Sequence, residues 1–100
     1  MKIRIDIPED KIAGFCRKNR IRRLAFFGSV LRDDFGPESD VDVLVEFESD
    51  ARVGLIALAD MEMELEAIVG RKVDINTEGF LSPYYREKVM ADARTAYERT

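Results

Sequence analysis

The segment from Ser39 to Val45, Ser-Asp-Val-Asp-Val-Leu-Val, places two aspartates one residue apart at the start of an apolar run. In an extended strand alternate side chains share a face, so Asp40 and Asp42 project together. The valines that alternate with them point to the opposite, buried side. We therefore predict a strand over residues 41–47 with a pair of carboxylates at its beginning.

A phosphate-binding turn is predicted upstream of this pair. Two adjacent carboxylates either raise the pKa of one another or share a cation, and hard oxygen ligands at this spacing suit Mg²⁺ beside a substrate phosphate. Gly28 and Ser29 end the preceding apolar run and offer backbone amides and a hydroxyl to phosphate oxygens. Arg32, one turn further on, adds positive charge. Together these residues predict a metal and phosphate site.

Apolar periodicity and turn residues predict the remaining elements. Their order is helix, strand, short helix, strand, long helix, strand and helix. In chain order they cover residues 8–19, 22–27, 29–33, 41–47, 54–69, 72–76 and 83–98, with a turn-rich loop over 33–39. Helices placed between strands predict an α/β (α+β) fold in which helices flank a small mixed β-sheet.

Size and composition restrict the function further. We expect residues 1–100 to form a single domain, because 100 residues suffice for one core. A single cysteine, Cys16, and the lack of histidine exclude an internal disulfide, a histidine-based triad and the usual zinc sites. We expect a cytoplasmic protein, since no stretch is apolar enough for a membrane span or a secretory signal. The net charge of −4 argues against general nucleic-acid binding.

A third carboxylate, Asp74, lies between two apolar residues of the predicted strand 72–76. If that strand pairs with the one carrying Asp42, three carboxylates converge at one end of the sheet, as divalent-ion binding and hydroxyl activation require. Each motif also has a plainer interpretation. The aspartates can be solvated strand ends, Gly28-Ser29 a turn with a serine N-cap, and Arg32 a surface residue.

The three motifs taken together resemble the signature of the minimal nucleotidyltransferases of the polymerase β superfamily. That signature is a Gly-Ser after a strand, an Asp-x-Asp flanked by apolar residues and a later aspartate on a third strand. It reads here as Phe27-Gly28-Ser29, Ser39-Asp40-Val41-Asp42-Val43 and Val73-Asp74-Ile75. Many members carry Ala-Arg-Gly where this chain has Leu31-Arg32-Asp33. The resemblance extends over nearly the whole chain and implies a polymerase β-like nucleotidyltransferase fold.

The resemblance also implies a division of labour among these residues. Asp40 and Asp42 would coordinate Mg²⁺ bound to a nucleoside triphosphate. Asp74 would join the catalytic metal and help to deprotonate an acceptor hydroxyl, which attacks the α-phosphate and releases pyrophosphate. Gly28-Ser29 and Arg32 would hold the phosphates.

Stand-alone members of this size resemble the antitoxin half of a toxin–antitoxin pair whose partner is a HEPN-domain ribonuclease. The resemblance implies that such a protein uses ATP to adenylylate a tyrosine of the toxin, in a hetero-oligomer without direct nucleic-acid contact. Two alternatives stay open from the sequence: an antitoxin that neutralises by binding alone, and nucleotidyl transfer to a small molecule.

Overall fold

A computed structural model describes residues 8–28, 40–77, 87–89, 91 and 93–99 of the chain. Two helices and four strands are defined within these ranges. They are α1 (Glu9–Lys18), β1 (Ile21–Phe27), β2 (Val41–Phe47), α2 (Leu55–Val69), β3 (Val73–Thr77) and β4 (Arg94–Glu98). Within the described residues no helix is long and apolar enough to span a membrane.

Helix α1 forms where the sequence predicts it. Its buried residues Ile12, Phe15 and Cys16 recur at the spacing of one helix face. Acidic residues occupy its first turn and basic residues its last, which suits the helix dipole. It ends at Asn19, whose side-chain Nδ2 and backbone amide donate to the carbonyl of Phe15 at 2.9 and 3.1 Å. The predicted stop at Asn19 is therefore confirmed.

The four strands form one mixed sheet in the order β3-β2-β1-β4. Strand β1 pairs antiparallel with both β2 and β4, whereas β2 and β3 are parallel. The long helix α2 connects β2 to β3, as a parallel pair requires. The predicted fold class, a small mixed sheet with helices, is confirmed.

The two faces of the sheet are packed differently. One face carries alternate residues of β1, β2 and β3 and is covered by α1 and α2. This main core consists of Ile12, Phe15, Cys16, Ile21, Leu24, Phe26, Val41, Val43, Val45, Met61, Leu65, Val73 and Ile75. The opposite face holds a smaller cluster of Phe27, Leu44 and Val89. Asp42 and Asp74 belong to this second face, because they alternate with core residues along their strands.

Helix α2 is apolar on more than one side. Met61 and Leu65 are buried in the main core, whereas Leu55, Ile56 and Met63 are exposed. The helix closes at Gly70, which adopts a left-handed conformation (φ 74°) and donates its amide to the carbonyl of Glu66 at 2.8 Å. Glycine has no Cβ to clash in that conformation, which explains the stop that the sequence predicts.

The prediction of a final helix over residues 83–98 is wrong in its last part. Residues 87–89 and 91 are helical, but Arg94–Glu98 is the edge strand β4. In β4, Tyr97 lies opposite Leu24 and Thr95 opposite Ala25. This pairing satisfies one edge of β1, and that gain outweighs the modest local preference of the segment for helix. The predicted short helix 29–33 and loop 33–39 lie outside the described residues.

Candidate active site

The end of β1 brings a glycine into contact with a carboxylate. Phe27 is the last residue of β1 and lies opposite Asp42 of β2. Gly28 follows with φ 75°, a left-handed conformation that favours glycine. A Cβ on Gly28 would overlap Oδ2 of Asp42 and would lie 3.3 Å from its Cγ. The turn after β1 and the second aspartate of the Asp-x-Asp motif are therefore directly packed together.

Asp42 also lies beside Asp74. In the parallel pairing of β2 with β3 the two aspartates are register partners. Neighbouring strands are about 4.8 Å apart, and both side chains belong to the same face of the sheet. The two strands do pair, which is the condition set in the sequence analysis, and the pairing brings two of the three carboxylates side by side.

The three aspartates differ in exposure. Asp42 is half-buried between β1 and β3, whereas Asp40, which directly precedes β2, and Asp74 are exposed. The backbone at this end is held by the amide of Val41, which donates to the carbonyl of Lys72 at 2.8 Å. The arrangement therefore has one half-buried carboxylate, that of Asp42, and two exposed ones.

The donor set suits a hard cation. Carboxylate oxygens are the protein ligands that Mg²⁺ prefers, and it takes one or two of them together with substrate phosphates. Within the described ranges no three histidine, cysteine or acidic side chains are grouped closely enough to form a metal cluster by themselves. At Gly28 the space that a Cβ would fill is taken by the Asp42 carboxylate, and the role of this glycine in phosphate binding stays a prediction. Ser29 and Arg32 lie outside the described residues, and their roles stay predictions.

Two functional candidates were missed by sequence reasoning. Glu62 and Glu66 of α2 accept hydrogen bonds from the backbone amides of Ile75 (2.8 Å) and Val73 (3.1 Å), the residues on either side of Asp74. The signal that could have revealed them is their spacing of four residues, which puts both on one helix face.

Three arginines of the basic segment 17–23 form ion pairs away from the three aspartates. Arg22 and Arg23 donate to the two carboxylate oxygens of Glu46 at 2.7 and 2.9 Å. Arg20 pairs with Asp50, and this hydrogen bond and charge hold the pKa of Asp50 below its usual value. These contacts lie near the start of β1, at the opposite end of that strand from Gly28. These three arginines thus form a surface ion-pair network.

A cavity of about 260 Å³ lies at the same distant end of β1. It is lined in part by Cys16, Ile21, Tyr97 and Arg99. Arg99 pairs with Glu48, whose carboxylate raises the pKa of the guanidinium. Burial raises the pKa of the Cys16 thiol to about 12, so this cysteine is a protonated core residue at neutral pH. This cavity is separate from the carboxylates.

The chain is similar in sequence and in fold to known nucleotidyltransferases. The family model described as a nucleotidyltransferase domain matches residues 9–95. The protein MJ0435 of Methanocaldococcus jannaschii, described as a protein adenylyltransferase, is 31% identical over 83% of this chain and 87% of its own length. A solved structure described as a minimal nucleotidyltransferase is 34% identical, with a TM-score of 0.71 and 85% of each chain covered.

Two more distant structures share the fold. One is a toxin–antitoxin crystal structure with AMP-PNP, which has a TM-score of 0.75 at 20% identity and covers 94% of this chain and 76% of its own. The other is a tri-AMPylated Shewanella oneidensis HEPN toxin in complex with an MNT antitoxin, with a TM-score of 0.66 at 20% identity. It covers 91% of this chain and 70% of its own.

Proposed function

Since this chain belongs to the nucleotidyltransferase domain family and is a nucleotidyltransferase, we propose that it transfers AMP from ATP to a protein hydroxyl in a Mg²⁺-dependent reaction. The acceptor we propose is a tyrosine of a HEPN-type ribonuclease toxin, which the modification neutralises. The chain is then the antitoxin of the pair.

The observation that carries this proposal is the pairing of Asp42 with Asp74 beside the glycine turn. Register places the two carboxylates on adjacent strands, and Gly28 packs against one of them. Nucleotidyl transfer depends chiefly on positioning and on neutralisation of phosphate charge. The paired carboxylates would hold the cation that supplies this neutralisation, and they would do so without histidine, which the chain lacks.

Each residue has a distinct part in the proposed reaction. Asp40 and Asp42 would hold Mg²⁺ together with the triphosphate, and Asp74 would complete the site. When bound, the metal would neutralise charge on the phosphates and favour ionisation of the acceptor hydroxyl. The backbone at Gly28 lets the triphosphate approach closely. Asp74 orients the acceptor hydroxyl and helps to remove its proton, so that a new oxygen–phosphorus bond forms at the α-phosphate while the bond to pyrophosphate breaks.

The protein acceptor is supported by the relatives. MJ0435 is described as a protein adenylyltransferase and is similar over most of both chains. One structure with the same fold holds a HEPN toxin that carries AMP, in complex with an MNT antitoxin. Another contains AMP-PNP, an ATP analogue, in a toxin–antitoxin complex. ATP is accordingly the donor that we propose, and a HEPN-type protein the acceptor.

The direct test uses ATP labelled at the α-phosphate. The purified chain is incubated with labelled ATP, Mg²⁺ and a HEPN-type protein from the same organism, and label on that protein is measured. We expect label with the wild type and with Asp60→Asn, a matched change at an exposed aspartate of α2. Asp42→Asn and Asp74→Asn should each reduce labelling at least about 100-fold, because metal ligands act as a unit.

A second measurement separates catalysis from neutralisation by binding alone. The ribonuclease activity of the HEPN-type protein is assayed with wild-type chain or Asp42→Asn, each with ATP and Mg²⁺. Loss of inhibition with Asp42→Asn supports the enzymatic account if the variant still binds its partner. Equal inhibition by the two proteins would mean that binding suffices, and no label on the partner would contradict the proposed transfer itself.

A further inference from the structure

The outer edge of β3 is covered by two carboxylates of α2. Strand β3 is the terminal strand of the described sheet and pairs on its inner side with β2. On its other side the amide of Val73 donates to Oε2 of Glu66 at 3.1 Å, and the amide of Ile75 donates to Oε2 of Glu62 at 2.8 Å. The two residues so held flank Asp74, and we refer to Glu62 and Glu66 as the glutamate clamp.

The clamp depends on a match between helix and strand spacing. Residues four apart in a helix are separated by about 6 Å along its axis, whereas alternate residues of a strand are separated by about 6.6 Å. Two glutamates one turn apart can therefore bind two alternate amides of one strand. A hydrogen bond from an amide to a charged carboxylate is stronger than one between neutral groups, so each bond restrains the strand effectively.

The clamp supplies a restraint that Asp74 otherwise lacks. Val73 and Ile75 are buried and hold one face of β3 against the main core, while β2 holds the inner edge. The side chain of Asp74 is exposed, so packing around the carboxylate does little to fix its position. The backbone of β3 must therefore fix the position of Asp74. Glu62 and Glu66 hold the outer edge of this strand at the residues on both sides of Asp74.

We propose that Glu62 and Glu66 are positioning residues that hold Asp74 at the distance from Asp42 which metal-dependent transfer requires. The inference rests on the proposed function, in which both aspartates contribute to one metal site. The glutamates act through the β3 backbone and touch neither nucleotide nor acceptor. They also occupy the amides through which a further strand could have joined the sheet at this edge.

The variants for the test are Glu62→Ala, Glu66→Ala, the conservative Glu62→Gln, and Glu64→Ala as a matched control. Glutamine keeps an oxygen that can accept the amide of Ile75. Glu64 lies on the same helix but pairs with Lys18 at the surface, where an ion pair contributes little to stability. Each single clamp variant leaves the other bond in place, and thermal unfolding selects the temperature at which every variant is folded.

Three measurements are made on each variant. Amide hydrogen exchange at Val73 and Ile75, followed by NMR, reports the bonds themselves. Electron paramagnetic resonance with Mn²⁺ and AMP-PNP reports metal affinity without catalysis. Steady-state labelling of the HEPN-type partner gives kcat and the KM for ATP. Changes to residues that orient metal ligands typically cost about 10–100-fold in metal affinity or activity.

We expect Glu62→Ala to lose protection at Ile75, to weaken Mn²⁺ binding about tenfold and to lower kcat about tenfold with little change in the KM for ATP. Glu66→Ala should show the same losses with reduced protection at Val73, while Glu62→Gln and Glu64→Ala should resemble the wild type. Lost amide protection with unchanged Mn²⁺ affinity and kcat would overturn the inference. If the wild type transfers no AMP but Mn²⁺ binding weakens in the clamp variants, the proposed function fails and the positioning role stands.

Discussion

Replacement of Gly28 by alanine tests how closely this glycine is coupled to the Asp42 carboxylate. Two effects are expected. The residue has φ 75°, and an L-residue in the left-handed region costs about 1–2 kcal/mol of stability. In addition, the new Cβ would overlap Oδ2 of Asp42, so the carboxylate must move by about 1 Å to reach ordinary van der Waals contact.

Gly70 provides the matched control, because it separates backbone strain from the displacement of Asp42. It has φ 74°, almost the same as Gly28, but a Cβ there would meet no atom within 4 Å. Both alanine variants should therefore lose about 1–2 kcal/mol of unfolding free energy. Only Gly28→Ala should also lose activity, by about 10–100-fold, since catalytic groups must be held to within about 0.5 Å.

The assay combines urea unfolding with initial rates of AMP transfer. The rates are measured without urea, at a temperature where both variants are folded. A smaller folded fraction then cannot be mistaken for a slower reaction. If Gly28→Ala and Gly70→Ala transfer AMP at the same rate, contact with Gly28 does not set the position of Asp42.

Three further predictions concern stability and pairing. Glu46→Ala removes the carboxylate that accepts hydrogen bonds from two arginines of β1, one of which is only 17% exposed. The substitution should lower the unfolding free energy by about 1.5–3 kcal/mol, measured by urea unfolding. The control Glu98→Ala, at an exposed position of β4, should cause a much smaller loss. Burial raises the pKa of Cys16 from 9.0 to about 12, so the unfolded thiol loses its proton first as the pH rises. The free energy of unfolding should fall above pH 9, by about 1.4 kcal/mol at about pH 10, and Cys16→Ala should lack this part of the decline. NMR cross-strand contacts between Leu24 and Tyr97 should confirm β4, whereas helical contacts over the same segment would contradict it.

Much of the fold could be predicted because local pattern and tertiary structure agree. The alternation of Asp42 with buried valines gives β2, and the buried stripe of Ile12, Phe15 and Cys16 gives α1. Gly70 ends α2 because its left-handed conformation suits glycine. In these elements the side-chain period and the backbone preference favour the same structure.

The C-terminal strand could not be predicted from its own residues. Arg94, Ala96 and Glu98 are compatible with a helix, and the helical residues at 87–89 favour its continuation. What decides the structure is the open edge of β1, to which Arg99 also contributes by donating its amide to the carbonyl of Arg22 at 2.8 Å. A partner strand distant in sequence leaves no local pattern.

The candidate site also combines residues that the sequence reveals with contacts that it does not reveal. The Asp-x-Asp motif and Asp74 are visible as polar residues inside apolar strands, and the pairing of their strands follows from the fold. The contact between Gly28 and Asp42 and the bonds from Glu62 and Glu66 are not visible in this way. They depend on the register of β1 with β2 and on how α2 lies along β3, which only the assembled structure supplies.

Mass spectrometry of the HEPN-type partner after incubation with ATP and Mg²⁺ shows whether the site formed by the paired carboxylates of β2 and β3 adds AMP to a protein acceptor. Wild-type chain should add the mass of AMP to a tyrosine of the partner, and Asp42→Asn should not. A partner of unchanged mass after incubation with wild-type chain, or equal modification by Asp42→Asn, would rule out the proposed transfer at this site.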